Sequence, residues 1–183
     1  MIRPITVYGD AVLRKIAAPI DKDYPQLPQL IADMFDTLTY AEGVGLAAPQ
    51  IGLPIRLFIV DLTILADEEP SFTDFKKAMI NPTITSFEGE ETTLEEGCLS
   101  IPGISETVRR KNTITIEYYT ENWEKRTETY SGYPSRVMQH EYDHIEGHVF
   151  TDRISPMRRQ MISSKLSSIS KGKFSCHYKV KKN

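Results

Sequence analysis

The chain has little cysteine and no long apolar run. Cys98 and Cys176 are its two cysteines among 183 residues. They are too few for a disulfide framework, and in a reducing compartment such residues point to metal binding or catalysis. No apolar stretch approaches the roughly 20 residues that a membrane-spanning helix needs. The opening MIRPITVYGD lacks the charged and apolar regions of a signal peptide. A cytoplasmic protein with no membrane partner is therefore expected. No internal repeat is present. Acidic residues are missing altogether after Asp152, whereas nine Lys and Arg follow it. The whole chain carries −3, so residues 1–152 carry −12 and the tail +9. Such a tail either contacts something anionic or is a solvated terminus.

What remains is an ordinary globular composition, long enough for one domain with a substantial core. Leu27, Leu30, Ile31, Met34 and Leu38 recur at helical spacing, which predicts an amphipathic helix stopping near Gly43. PIRLFIVDL (54–62) reads as a buried strand and residues 65–75 as an acidic surface loop. Residues 78–89 read as one or two strands, with Pro82 placing part of them on an edge. Residues 113–120 and 124–131 alternate around Glu121-Asn122-Trp123 and predict a hairpin. Pro134 suits the first turn of a helix that runs to about Gly147. Met157, Met161, Ile162, Leu166 and Ile169 predict a last amphipathic helix. The order argues an α+β fold, with antiparallel β-sheets packed around a central helix and a C-terminal helix.

That central helix carries QHEYDH, residues 139–144. Residues at i and i+4 share a face, so His140 and His144 can reach one metal ion. Glu141 is rotated by about 100° and left free as a general base. Such a site usually has a third protein ligand and one open position. Cys98, His148, His177 and several carboxylates are candidates. His140 and His148 would lie about 12 Å apart along a continuous helix, too far to share one ion.

Three motifs then occur in order: GVGLAAPQIG (43–52), EGCLS (96–100) and QHEYDH (139–144). Together they resemble the signature motifs of the peptide deformylase family, and the likeness spans about residues 1–155. The resemblance implies a catalytic unit over 1–155, with 156–183 as a C-terminal amphipathic helix and basic tail of the same domain. It implies Cys98, His140 and His144 as metal ligands, with water in the fourth place. The metal would be Fe2+ physiologically, with Zn2+, Ni2+ or Co2+ able to replace it. A divalent ion lowers the pKa of its water from ~15.7 toward 7. Gln50 and the Leu99 N–H are implied as donors to the oxyanion, and Glu141 as the proton carrier. The activity implied is removal of the formyl group from N-terminal N-formylmethionine of newly made polypeptides, with release of formate.

Helical geometry adds to this. With His140 at 0°, Val137 falls at about 60° and Tyr133 at about 20°, on the metal face. Val44, Gly45, Gly97, Val137 and Tyr133 are thus expected around the substrate, Gly45 and Gly97 because glycine lets a peptide approach closely. Glu42 and Arg110 are expected to pair behind the site. Asp143, at about 300°, lies beside Arg136 but two turns away, and this gives it no assigned role. A zincin-type metallopeptidase is the alternative; it needs a third His or Glu downstream of the motif, where only His148, His177 and Asp152 lie. A structural metal module closed by Cys176 is a third reading. The basic tail is expected to hold the enzyme at the ribosome, where the nascent peptide emerges.

Overall fold

The computed structural model describes residues 1–181; Lys182 of the basic tail lies outside them. Three helices and five strands follow in the order α1 (Leu27–Tyr40), β1 (Gly45–Ala47), β2 (Leu57–Asp61), β3 (Lys76–Cys98), β4 (Ile101–Tyr119), β5 (Lys125–Ser131), α2 (Tyr133–Ile145) and α3 (Pro156–Ser170). The strands form one antiparallel sheet in sequential order, each pairing with its neighbour in the chain. The α+β class is as expected, with one sheet in place of several.

β2 explains why 54–62 is apolar without alternation. Leu57 and Ile59 face α1, packing with Leu30, Ile31, Met34 and Leu38. Phe58 and Val60 face α2, packing with Val137, Met138 and Ile145. Both faces of the strand are covered, so both must be apolar. α1 ends where expected, the Gly43 N–H donating to Leu38 O at 3.1 Å.

β3 and β4 are far longer than their sequence suggests. Past Ile80, β3 has β4 alone as a neighbour, and Pro82 sits in the register shift between Ile80 and Thr83. An imide that cannot donate costs nothing there. At the far end Cys98 pairs with Ile101 across the two-residue turn Leu99-Ser100. The preceding pair is Gly97 with Ser105, so β4 bulges outward over residues 102–104 beside that turn.

α2 touches β1, β2, β4 and β5 and is buried on nearly every side despite its polar sequence. Pro134 lies in its first turn. Gly147 follows its end at φ +79°, where a Cβ would meet Arg14 O at 2.7 Å. α3 buries Ile162, Leu166 and Ile169 against Val7, Ile101, Ile104 and Val108. Met157 and Met161, counted in its apolar series, are 73% and 63% exposed. They fall about 80° or more from the buried residues around the helix axis.

Candidate metal centre and cleft

α2 presents His140 and His144 one turn apart, ring centroids 5.2 Å from each other. The β3–β4 turn brings Cys98 to them, its Sγ 3.3 Å from His144 Nε2. The three donor atoms all lie within 4.8 Å of one another, which makes them the one such group of His, Cys or carboxylate side chains among the described residues. Cys176 is not in this group. His148 and His177 have side chains 57% exposed and lie beside Asp152 and Glu42. The downstream third ligand that a zincin requires is therefore absent among the described residues.

The donor set suits a divalent ion. Burial works to raise the Cys98 thiol, but His144 and His140 overrule it and hold the thiol at about 5. It is then a thiolate at neutral pH, the form that ligates metals. His140 Nδ1 meets Glu96 Oε1 at 2.9 Å, which leaves Nε2 to face the site. Two buried polar atoms here have no partner, Glu141 Oε2 and His144 Nδ1. Buried polar groups are nearly always paired, so an unpaired carboxylate oxygen beside two imidazoles fits a group that an ion and its water would engage. Burial pushes Glu141 up to about 7, against the pull of His140 and His144. That is the range in which a carboxyl can both take and return a proton.

Gln50 lies in the short 3-10 turn after β1 and is 1% exposed. Its Oε1 accepts the Ala47 N–H at 2.9 Å, which fixes the amide orientation. Its Nε2 then faces Ser100 Oγ at 3.2 Å and Cys98 Sγ at 3.4 Å. Val44, Gly45, Gln50, Gly97, Leu99, Tyr133 and Val137 all line one cleft of ≈ 480 Å³ together with Cys98, His140 and Glu141. Tyr133 is the first residue of α2 and 36% exposed, whereas Val137 is buried at 5%. His144 is fully buried behind them.

The expected pair of Glu42 with Arg110 does not form. Glu42 is exposed and lies 3.8 Å from His177 Nε2. Arg110 is buried and donates to both Glu96 oxygens, at 2.7 and 2.9 Å, and to Asp143 Oδ2 at 2.9 Å. Arg136 adds a bond to Glu96 Oε2 at 2.9 Å. Arg153 grips Asp143 through two contacts of 2.6 Å. Asp143 thus ties α2 to β4 and to the turn after the helix, not to Arg136. Burial works to raise the Asp143 and Glu96 carboxyls, yet their cationic neighbours hold both low. Glu96, the first residue of EGCLS, has no role assigned from the sequence. Its signal was its place two residues before Cys98, on the same face of the strand.

The sequence profile of the family described as polypeptide deformylase matches residues 2–160. A peptide deformylase of Christiangramia forsetii is 54% identical over 99% of this chain and 96% of its own. One from Flavobacterium johnsoniae is 50% identical over the same shares. Among solved structures, the peptide deformylase from Legionella pneumophila is 40% identical, covers 93% of this chain and 96% of its own, and superposes with a TM-score of 0.80.

Proposed function

Because the chain belongs to the polypeptide deformylase family, we infer that it is a hydrolase that removes the formyl group from N-terminal N-formylmethionine of newly synthesised polypeptides and releases formate. One observation in the molecule itself carries this reading: the open Cys98–His140–His144 cluster with the unpartnered carboxylate of Glu141 beside it.

Cys98, His140 and His144 would hold one divalent ion. When bound, such an ion acidifies water and polarises a carbonyl oxygen. The rest of the chemistry belongs to the chain. Glu141 takes a proton from the attacking water and delivers it to the leaving amine, so that formate and a free amine result. The Gln50 amide, held by Ala47, and the Leu99 N–H donate to the oxyanion that develops on the formyl oxygen as its carbon is attacked. Val44, Leu99, Val137 and Tyr133 receive the methionine side chain. Gly45 and Gly97 leave room for the peptide to lie extended against the strand edges. We assign Fe2+ as the native ion on the family likeness; thiolate and imidazole donors suit it, and they suit Zn2+, Ni2+ and Co2+ as well.

Among the described residues no helix is long and apolar enough to cross a membrane, and we place the activity in the cytoplasm. We also propose that α3 and the tail contact the ribosome. Several of the tail's charges are spent internally, Arg158 on Glu106 and Lys181 on Asp10. Lys165, Lys171, Lys173 and Lys179 are exposed and form no ion pair among the described residues. Replacing these four with Ser should remove co-sedimentation with ribosomes at low salt; retention at the wild-type level would refute the contact.

The deciding experiment is anaerobic purification, metal analysis and formate release from a formyl-Met peptide. Near one metal per chain with formate release is expected. A folded, metal-loaded chain that releases none would overturn the reading. Peptide-bond cleavage in place of formate would favour the metallopeptidase alternative.

A further inference from the structure

After α3 the chain turns at Gly172 and runs back over the body, bending at His177–Tyr178. Phe174, Cys176, Tyr178 and Val180 are half-buried, while Lys173, Ser175, His177, Lys179 and Lys181 are exposed. This is the two-residue alternation of a strand lying on a surface. Val180 bridges Ile5 in parallel. The Ile5 N–H donates to Lys179 O and the Lys181 N–H to Ile5 O, each at 2.8 Å. The tail is therefore an anchored strap, not a free basic arm.

Just before that anchor the strap meets the cleft. Ser175, Cys176, His177 and Tyr178 line it together with Cys98 and Glu141. The Tyr178 hydroxyl donates to Leu99 O at 2.7 Å. The next carbonyl of the turn, Ser100 O, accepts the Tyr8 N–H at 2.8 Å. Both carbonyls of the two-residue turn after Cys98 are thus held from outside it. These strap residues lie beyond residue 160, where the family profile stops.

The first segment of the opposite wall fixes a direction. At Gly45 a Cβ would lie 2.6 Å from Glu141 Oε1. At Gly43 it would lie 3.0 Å from the Leu99 side chain. Glu42 then faces His177, whose carbonyl accepts from the Tyr40 hydroxyl at 3.4 Å. Gly45 and Glu42 are three residues apart, at most about 10 Å at ~3.3 Å per residue, so a peptide with its formyl group at Glu141 brings its second and third residues toward Glu42 and His177.

Resting on the deformylase reading above, we propose that residues 175–178 form the outer wall of the substrate cleft, contacting the second and third residues of the peptide, with Tyr178 a positioning residue for the Leu99 turn. The ligand is the extended backbone of a nascent chain. The wall makes the enzyme responsive to peptide length, and Tyr178 couples that wall to the turn that carries Leu99.

The test uses the full, metal-loaded chain and two probes, formylmethionine amide and a formyl-Met tripeptide. In Y178F, kcat should fall about fivefold on both probes while KM stays within about twofold, because a displaced oxyanion donor affects the transition state alone. In H177A, the tripeptide-to-amide ratio of kcat/KM should fall about threefold, the worth of one lost contact. Melting temperature and metal content are measured alongside. Wild-type kcat in Y178F, even with a lower melting temperature, would show that Tyr178 only stabilises the fold. An unchanged ratio in H177A would overturn the wall. If the wild type itself releases formate from neither probe, the function fails and the wall fails with it.

Discussion

Gly45 and Glu141 are packed so closely that position 45 has no room for a side chain: a Cβ would sit 2.6 Å from Oε1 and 2.9 Å from Cδ of the glutamate. β1 and α2 converge at this contact, and it sets where the carboxylate can point.

Gly45→Ala should therefore act through Glu141. A methyl group there forces the carboxylate aside by about 1 Å, and a displacement of that size can cost ~10² in rate. Steady-state kinetics should show the loss in kcat with metal content unchanged. Near-wild-type kcat would mean that the Glu141 position is not critical.

Gln50→Ala removes one donor and leaves the Cys-His-His cluster intact. Activity should fall by about 10²–10³. Metal analysis of the same preparation separates this from loss of the ion. A variant equally inactive but metal-free would move Gln50 from the oxyanion to the support of Cys98, which it also approaches.

Arg110→Met leaves Glu96 and Asp143 each short of a buried cation. Removing one partner of a buried ion pair typically costs about 3–5 kcal/mol. Glu96 in turn holds His140, and losing such support weakens metal affinity about 10–100-fold. Chemical denaturation and metal titration should show both effects. Glu42→Gln, at an exposed position, should show neither.

Acid stability should depend on Asp33. The N-terminal ammonium, Gln29 and Arg3 hold its carboxyl below the ordinary value of 3.8. A folded pKa lower than the unfolded one gives stability that is complete above the unfolded value and lost as pH falls through the folded one. Asp33→Asn should thus lower unfolding free energy at pH 7 and flatten its decline below about pH 4. Denaturation at a series of pH values checks this; parallel curves for the two chains would refute it.

The chemistry was more legible than the architecture. His140, Glu141 and His144 are local, because a helix fixes their geometry over five residues. Cys98 and Gln50 could be assigned by family likeness alone, since what joins them to α2 is long-range folding. The first half of β4 went unread because Glu106 and Arg110 occupy inward positions where apolar residues would have marked the alternation. Their partners, Arg158 and Glu96, lie on other elements, and no local pattern announces them. The same reason misdirected Arg110 to Glu42. The strap was hidden by its lysines: Phe174, Cys176, Tyr178 and Val180 carry a strand period, but the charges between them suggested a solvated tail.

The sequential order of the strands also sets a folding schedule. Every strand pairs with its immediate neighbour in the chain, across connections of 14 residues at most, so each hairpin can form as soon as its second strand exists. The Cys98–His140–His144 cluster is different: Cys98 must wait for a histidine 46 positions later, and the strap that touches Leu99 comes later still. On a chain made from its N-terminus, all five strands are synthesised before His140. Catalytic competence is thus the last property this protein acquires, after its scaffold is already in place.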